Sequence, residues 1–281
     1  MPSLDWYDCP IVLPYYGGKY EMSKKLIPLL PPHERYIEVF AGGLSMFFRK
    51  SKAKWNVLND KDKNIVNLYM SVILKRKELI DNLFWIPKSR DLFLNFKGEI
   101  RDENNTFEIP DPLQAAKYLY CIRYSFNKLI HTPFSMNKDM NKDWEAELTY
   151  SRKFLGGATI ENLDFGELVD RYKPRKGDFW YLDPPYIVAT EKGTYYNHNF
   201  TMKDHERLRE SVQKIHDAGG HFMVSYDYRE EIAELYKDFD CRTLNWKYVG
   251  ATDEARQKGR KEYVIINYKP TQQINIFKEN E

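Results

Sequence analysis

Short apolar runs alternate with helical apolar stripes along most of the chain. The densest run, Asp178-Phe179-Trp180-Tyr181-Leu182, reads as a strand buried on both faces. Tyr36–Phe40 and Trp55–Asp60 read as two more strands, and Thr159–Phe165 resumes the same pattern. His221–Tyr226 and Glu262–Tyr268 follow, with Cys241–Val249 as a further candidate. Between them lie helical stripes: Met22, Leu26, Ile27, Leu29 and Leu30, stopped by Pro31-Pro32; and Ile65, Leu68, Tyr69, Val72, Ile73 and Leu79 in one helix from Lys61 to about Leu83. Leu113–Ile122, Gly166–Tyr172 and a stretch starting near Lys203 continue the series, and Met46-Phe47-Phe48 predicts an apolar helix. Residues 88–111 are polar, and Asn104-Asn105 and Pro110 predict loops or a hairpin there. Strands alternating with helices predict an α/β fold.

The candidate chemistry sits where strands end. Asp183-Pro184-Pro185-Tyr186 stops the central strand, because neither proline has an N–H for a ladder. The corner delivers a carboxylate, a carbonyl and a ring to the C-terminal edge of the sheet, where open α/β sheets bind ligands. Two fixed acceptors suit a planar amine on a heteroaromatic ring, whose lone pair must be localised before it can attack; Tyr186 can stack on that ring. Asp-Pro-Pro is also a common turn, so the tetrapeptide alone is moderate support. Ala41-Gly42-Gly43 after Tyr36–Phe40 forms the first strand–turn–helix of a Rossmann-like sheet, and Asp60, at the end of the next strand, stands where an acid binds ribose hydroxyls or caps a helix. Asp164-Phe165 offers an acid and a ring to an adenine, or a cap and staple to the helix that follows.

Two phosphate-binding motifs are incomplete. Gly17-Gly18-Lys19 lacks the spacing and the Ser or Thr of a nucleotide phosphate loop, and the Gly42 turn is not Gly-x-Gly-x-x-Gly. Basic, aromatic and amide residues mix from Arg123 to Lys142, including Tyr124, Asn127, Lys128, Ser135, Asn137 and Lys138, which suits phosphate and base-edge contacts. Residues 187–200 form a polar aromatic loop that reads as a lid. His198 and His205 are acid–base candidates by type, with His205 placed on the polar face of its helix. Arg256–Lys261 reads as a basic loop.

Composition narrows the class only a little. The 281 residues suffice for one large domain, or one with an insertion, and 30% charged with 42% hydrophobic residues is ordinary for a globular chain. A net charge of +2 argues against a broadly basic coat but permits a local basic groove. Cys9, Cys121 and Cys241 lack metal or disulfide spacing, so a reducing cytoplasm without a zinc site is expected. Asp5 and Asp8 interrupt any signal-peptide pattern, and no apolar run is long enough to span a bilayer.

Tyr-Gly-Gly-Lys, then Glu-Val-Phe-Ala-Gly-Gly, then Asn-Asp, an insertion, and Asp-Pro-Pro-Tyr, in that order, resemble the Dam family of DNA adenine methyltransferases from about Leu13 to Tyr268. The resemblance implies a Rossmann-like methyltransferase sheet with helices on both faces, from residues 1–74 and 154–281. It also implies a mostly helical DNA target-recognition domain inserted at 75–153. S-adenosylmethionine would be the donor and a flipped adenine in double-stranded DNA the acceptor, with a restriction endonuclease as partner or none. By position, Tyr15, Gly18, Lys19, Glu38, Phe40, Gly42, Asp60, Asp164, Phe165 and Asp183 belong to the cofactor site. Asp183, Pro184, Pro185 and Tyr186 are the catalytic set. Leu44 stands where family members commonly carry a glycine. Methylation of cytosine N4 or of RNA is the nearest alternative; a nicotinamide-dependent oxidoreductase and an idle DNA-binding protein are more distant.

Overall fold

A computed structural model describes Leu13 and residues 19–102, 105–126, 130, 132–136, 143–186, 200–246 and 260–270. Seven strands form one sheet in the order β3-β2-β1-β4-β5-β7-β6. They are β1 (Arg35–Glu38), β2 (Trp55–Asn59), β3 (Thr159–Glu161), β4 (Asp178–Leu182), β5 (His221–Asp227), β6 (Asp240–Trp246) and β7 (Arg260–Ile266). β1 to β5 run parallel, and β7 is antiparallel to both β5 and β6. The chain reverses direction across the sheet beside β1 and β4, the crevice where such folds bind ligands.

β4 shows why the central strand is so apolar. All five of its residues are buried. Phe179 and Tyr181 enter the core on one face, Trp180 and Leu182 the core on the other, as a period of two requires. The first face packs under α1 (Tyr20–Leu26) and α2 (Lys63–Leu74). The second packs under α7 (Phe165–Tyr172), α8 (Met202–Asp217) and α9 (Glu230–Leu235). The Rossmann-like sheet expected from the sequence is therefore present, with helices on both faces.

The insertion contributes α3 (Arg76–Trp85), α4 (Arg90–Arg101), α5 (Pro112–Tyr124) and α6 (Trp144–Leu155). α5 packs on α2, α3 and α4, and α6 packs on α2 and α3. Leu79, Phe93, Leu119 and Leu148 join one apolar cluster with Tyr36 and Phe179 of the sheet, so a continuous core links the insertion to the strands.

Four local expectations are corrected. The helix from Lys61 breaks at Lys75 into α2 and α3. Residues 88–111 are not a hairpin: Ser89 caps α4, and Phe93, Phe96, Lys97 and Ile100 recur on its inner face, a stripe that the surrounding polar residues obscure. Phe47–Arg49 makes a single 3-10 turn instead of a helix. Arg260 and Lys261 belong to β7, paired with Trp246 and Asn245, and not to a loop. Among the described residues no helix is long and apolar enough to cross a membrane.

Candidate active site

Three parallel strands end side by side, and their ends are stitched together. The Asn59 side chain donates to the carbonyls of Val39 (2.9 Å) and Leu163 (3.1 Å) and accepts from the Leu163 amide at 2.9 Å. This one amide ties together the chain beyond β1, β2 and β3. Next to it, Gly42 takes a φ of +44°, a left-handed conformation natural to glycine. Its amide donates to Asp60 Oδ2 at 2.8 Å, and its carbonyl accepts from the Tyr69 hydroxyl at 2.6 Å. Asp60 also accepts from the Asp62 amide at 2.9 Å. Asp60 thus shapes the glycine turn, and the helix cap considered for it falls instead to Asp62, whose side chain accepts from the Asn64 amide.

Of the two acids on this part of the edge, Glu38 is buried and Asp60 half-buried. Burial pushes Asp60 up to about 7, against the pull of its backbone donors. Glu38 closes β1 and accepts from the Tyr36 hydroxyl at 2.7 Å; burial pushes it up to about 8, only partly offset by that hydrogen bond and by Lys50. Beyond β1 and β3, Phe40, Phe165 and Phe200 form a cluster with ring centres 5.8–6.0 Å apart. Asp164 caps α7 through the Gly166 amide and pairs with Arg207 at 2.7 Å. The capping role weighed for Asp164 is the one seen, and the rings beside it, tilted or edge-on to one another, form an apolar rim.

At the end of β4 the arrangement differs. Lys19, just ahead of α1, is buried and reaches across the edge, so its ammonium donates to Asp183 Oδ1 at 2.8 Å and to the Tyr186 hydroxyl. It also lies 3.1 Å from Glu262 Oε1. The Tyr186 hydroxyl donates to that same Glu262 oxygen at 3.1 Å, as does the Ser225 hydroxyl. Burial is the largest single influence on Lys19 and pulls it down, yet the attraction of Asp183 and Glu262 together raises it above the ordinary lysine value. Burial raises Asp183 to about 6, with Lys19 working against it, so Asp183 is ionised at neutral pH.

Of the sequence-derived residues, the structure brings Lys19, Asp183 and Tyr186 into direct contact and places Glu38 close enough to Asp183 for their charges to interact. Gly42 with Asp60, and Phe40 with Asp164 and Phe165, line the neighbouring strand ends; Pro184 is buried and Pro185 half-buried within the corner. Tyr15, Gly18, Asn127, Lys128, Asn137, Lys138, His198 and nearly all of the lid stretch lie outside the described residues.

The DNA-contact candidates that the structure describes hold contacts within the chain. Arg123 is half-buried, 3.2 Å from Glu147 and over the ring of Trp144. Tyr124 packs between Tyr120 and Phe134, and the Ser135 amide bonds back to the Tyr124 carbonyl, so both serve a folded turn. His205 is fully buried and not on a polar face, with Nδ1 2.9 Å from the Tyr226 hydroxyl and burial holding it down to about 4. Glu262 and Ser225 were missed. The available signal was an acid opening an otherwise apolar strand, which a solvated strand end explains equally well.

A Rossmann-like sheet that carries an Asp-Pro-Pro-Tyr corner at its C-terminal edge, beside a glycine turn and two acids of raised pKa, has the architecture of a methyltransferase. The chain belongs to the D12 class of N6 adenine-specific DNA methyltransferases, whose family profile matches residues 15–250. Its reaction is methylation of the 6-amino group of adenine in DNA. The Type II methyltransferase M1.LlaDCHI of Lactococcus lactis subsp. cremoris is 26% identical over 269 residues, covering 90% of this chain and 93% of that protein. The modification methylase StsI of Streptococcus sanguinis is 24% identical over 290 residues, and the match spans 94% of this chain but 44% of that longer protein. The DNA adenine methylase of Salmonella typhi is 26% identical over 222 residues, 72% of this chain and 75% of that one. The resemblance read from the ordered motifs is thus borne out by a profile that extends across most of the chain.

Proposed function

We propose that the chain takes its methyl group from S-adenosylmethionine and delivers it to an adenine swung out of double-stranded DNA, with the Asp183 corner as the acceptor site. The observation that carries this reading is the partly buried Lys19–Asp183–Tyr186 contact at the end of β4, beside the glycine turn. The donor set fits the cofactor: the buried Glu38 and half-buried Asp60 carboxylates at the ends of β1 and β2 match a ligand with cationic groups and ribose hydroxyls, and the Phe40–Phe165–Phe200 rim matches a flat base. Glu38 and Asp60 would hold those polar groups, with Phe165 against the base. When bound, the cofactor supplies a methyl group on an already positive sulfur.

The remaining chemistry belongs to the chain. Asp183 and the Pro184 carbonyl accept the two amino hydrogens of adenine, which localises the nitrogen lone pair as the bond forms. Lys19 anchors Asp183 through Oδ1, and the proline corner holds both acceptors at fixed spacing. Tyr186 offers its ring to the base while its hydroxyl is tethered to Lys19 and Glu262. Once methylated, the amine is acidic, and the ionised Asp183 carboxylate takes its proton. Residues 75–153 form the proposed target-recognition unit.

Incubating the protein with labelled S-adenosylmethionine and mixed-sequence duplex DNA, then digesting the product to nucleosides, tests the reading. The label is expected in 6-methyladenine. Label in N4-methylcytosine, or in RNA only, would replace this assignment with another amine acceptor.

A further inference from the structure

β7 runs antiparallel to its neighbours, so its first residues arrive at the edge where the parallel strands end. That topology carries a carboxylate, Glu262, into the centre from a strand with no motif of its own. Glu262 is buried, and its Oε1 gathers three contacts: the Tyr186 hydroxyl, the Ser225 hydroxyl and, at 3.1 Å, the Lys19 ammonium. The lysine in turn donates to Asp183 Oδ1. Glu262 therefore touches one member of the corner directly and the other through a single intermediary, and Ser225 of β5 fixes it from behind.

We infer that Glu262 is the positioning residue of this centre, holding Lys19 and the Tyr186 hydroxyl so that Asp183 and the Tyr186 ring stay in register for the incoming amine. The role rests on the methyl-transfer reading above. Lys19 lies between two carboxylates, so its charge is shared and Asp183 is not bound into an exclusive ion pair. The groups facing Asp183 are Lys19 from ahead of α1, Glu262 from β7, Glu38 from β1, Tyr181 from β4, Tyr226 from β5 and Tyr186 of the corner itself. Among these, Glu262 raises Asp183 and Lys19 lowers it. Neutralising Glu262 therefore moves Asp183 downward on both counts: a repelling charge is lost, and the lysine is left to Asp183 alone. A carboxylate so held is a weaker acceptor for the amine.

The test compares Glu262→Gln and Glu262→Asp with the wild-type chain. Steady-state kinetics use S-adenosylmethionine and mixed-sequence duplex DNA. In parallel, the Asp183 carboxyl is titrated in the free protein by carbon-13 NMR, assigned by the signal lost in Asp183→Asn. Glu262→Gln is expected to lower kcat about tenfold or more, leaving both KM values within about threefold. The Asp183 titration and the acid limb of kcat should move together to lower pH. Glu262→Asp, which keeps the charge, should return the titration toward wild type and recover part of kcat. Should the glutamine variant fail to fold, Ser225→Ala leaves the carboxylate charged but loosens it, and kcat should fall about threefold with KM unchanged. Unaltered kcat and an unaltered titration in Glu262→Gln, a loss confined to KM, or wild-type kcat in Ser225→Ala would each overturn the role. If the wild-type chain methylates no DNA while the carboxyl shift is intact, the methyl-transfer reading is overturned and the positioning role goes with it.

Discussion

The two halves of the ligand-binding edge hold their acids in opposite ways. At β4, Asp183 is half-buried with a cation already in place, 2.8 Å away. At β1 and β2, the buried Glu38 and half-buried Asp60 have hydroxyl and amide donors, and both stand further above their ordinary values than Asp183 does, at about 8 and about 7 against about 6, because Lys19 holds Asp183 back. The difference divides the labour. An acid with its own lysine is ionised and oriented before any ligand arrives, which suits an acceptor that must be ready when the amine enters. An acid buried without so close a cation gains most when a cationic or hydroxyl-bearing ligand replaces the missing water.

Asp183→Asn breaks the comparison hardest. It keeps the shape of the corner but removes the ionised acceptor, and Lys19 keeps Glu262 as its counter-ion. Methyl transfer in a labelled-donor assay should fall on the order of a thousandfold, with donor binding by calorimetry nearly unchanged. Retention of a tenth of the activity would remove Asp183 from the chemistry. Lys19→Met comes next, because it makes the β4 half resemble the β1–β2 half. Two carboxylates then face each other without a cation, and stability in urea should drop by about 3–5 kcal/mol. Asp183 loses the influence that lowers it, so the acid limb of any residual activity should move to higher pH, opposite to the shift expected for Glu262→Gln. Equal shifts in the two variants would show that the lysine is not the intermediary.

How much of this was legible in the chain depends on the distance between partners. The strands could be read because burial on both faces writes itself locally, as in Phe179–Leu182. The corner was legible because proline and a strand end are local facts. Lys19 stood out as part of a glycine turn and, through the resemblance, of the cofactor site; its partner Asp183 lies 164 positions away and meets it only because of the strand order. Glu262 and Ser225 were invisible for the same reason, since only an antiparallel β7 turns the start of that strand toward the site. Arg123 shows the same limit: its sequence neighbours look like a nucleic-acid surface, and its contacts with Glu147 and Trp144 on α6 are set by packing between helices.

The β1–β2 acids also predict how stability responds to pH. Burial raises Asp60 from 3.8 to about 7 and Glu38 from 4.5 to about 8. The folded chain therefore binds more protons than the unfolded chain between the unfolded and folded values, and the stability from these groups, fully present below the unfolded values, is lost as pH rises through the folded ones. His205 works the other way, being lowered from 6.5 to about 4, so its opposing effect fades as pH rises above 6.5 and the unfolded imidazole loses its proton. The melting temperature of the free protein should then fall between pH 6.5 and 8. Glu38→Gln and Asp60→Asn should each flatten that slope, and saturating S-adenosylmethionine should flatten it as well. A melting temperature that rises across this interval would contradict the burial of the two acids.

The smallest effect concerns how each half is kept rigid. The β4 corner uses two prolines, whereas the turn after β1 places Leu44 at a φ of +53°, where a side chain is disfavoured. The left-handed conformation costs roughly 1–2 kcal/mol, which a glycine would recover. Leu44 is nevertheless fully buried in the core shared with α2, and its amide donates to the Ala41 carbonyl at 2.7 Å. Removing a buried leucine side chain costs about 2–5 kcal/mol, and a glycine adds freedom to the unfolded chain. Packing therefore wins, and Leu44→Gly should lose about 1–3 kcal/mol in urea unfolding. Leu44→Ala keeps the strain while losing the packing, so it should be no more stable than the glycine variant. If Leu44→Gly instead matched or exceeded wild-type stability, strain would outweigh packing, and the turn after β1 would be rigid in spite of its leucine.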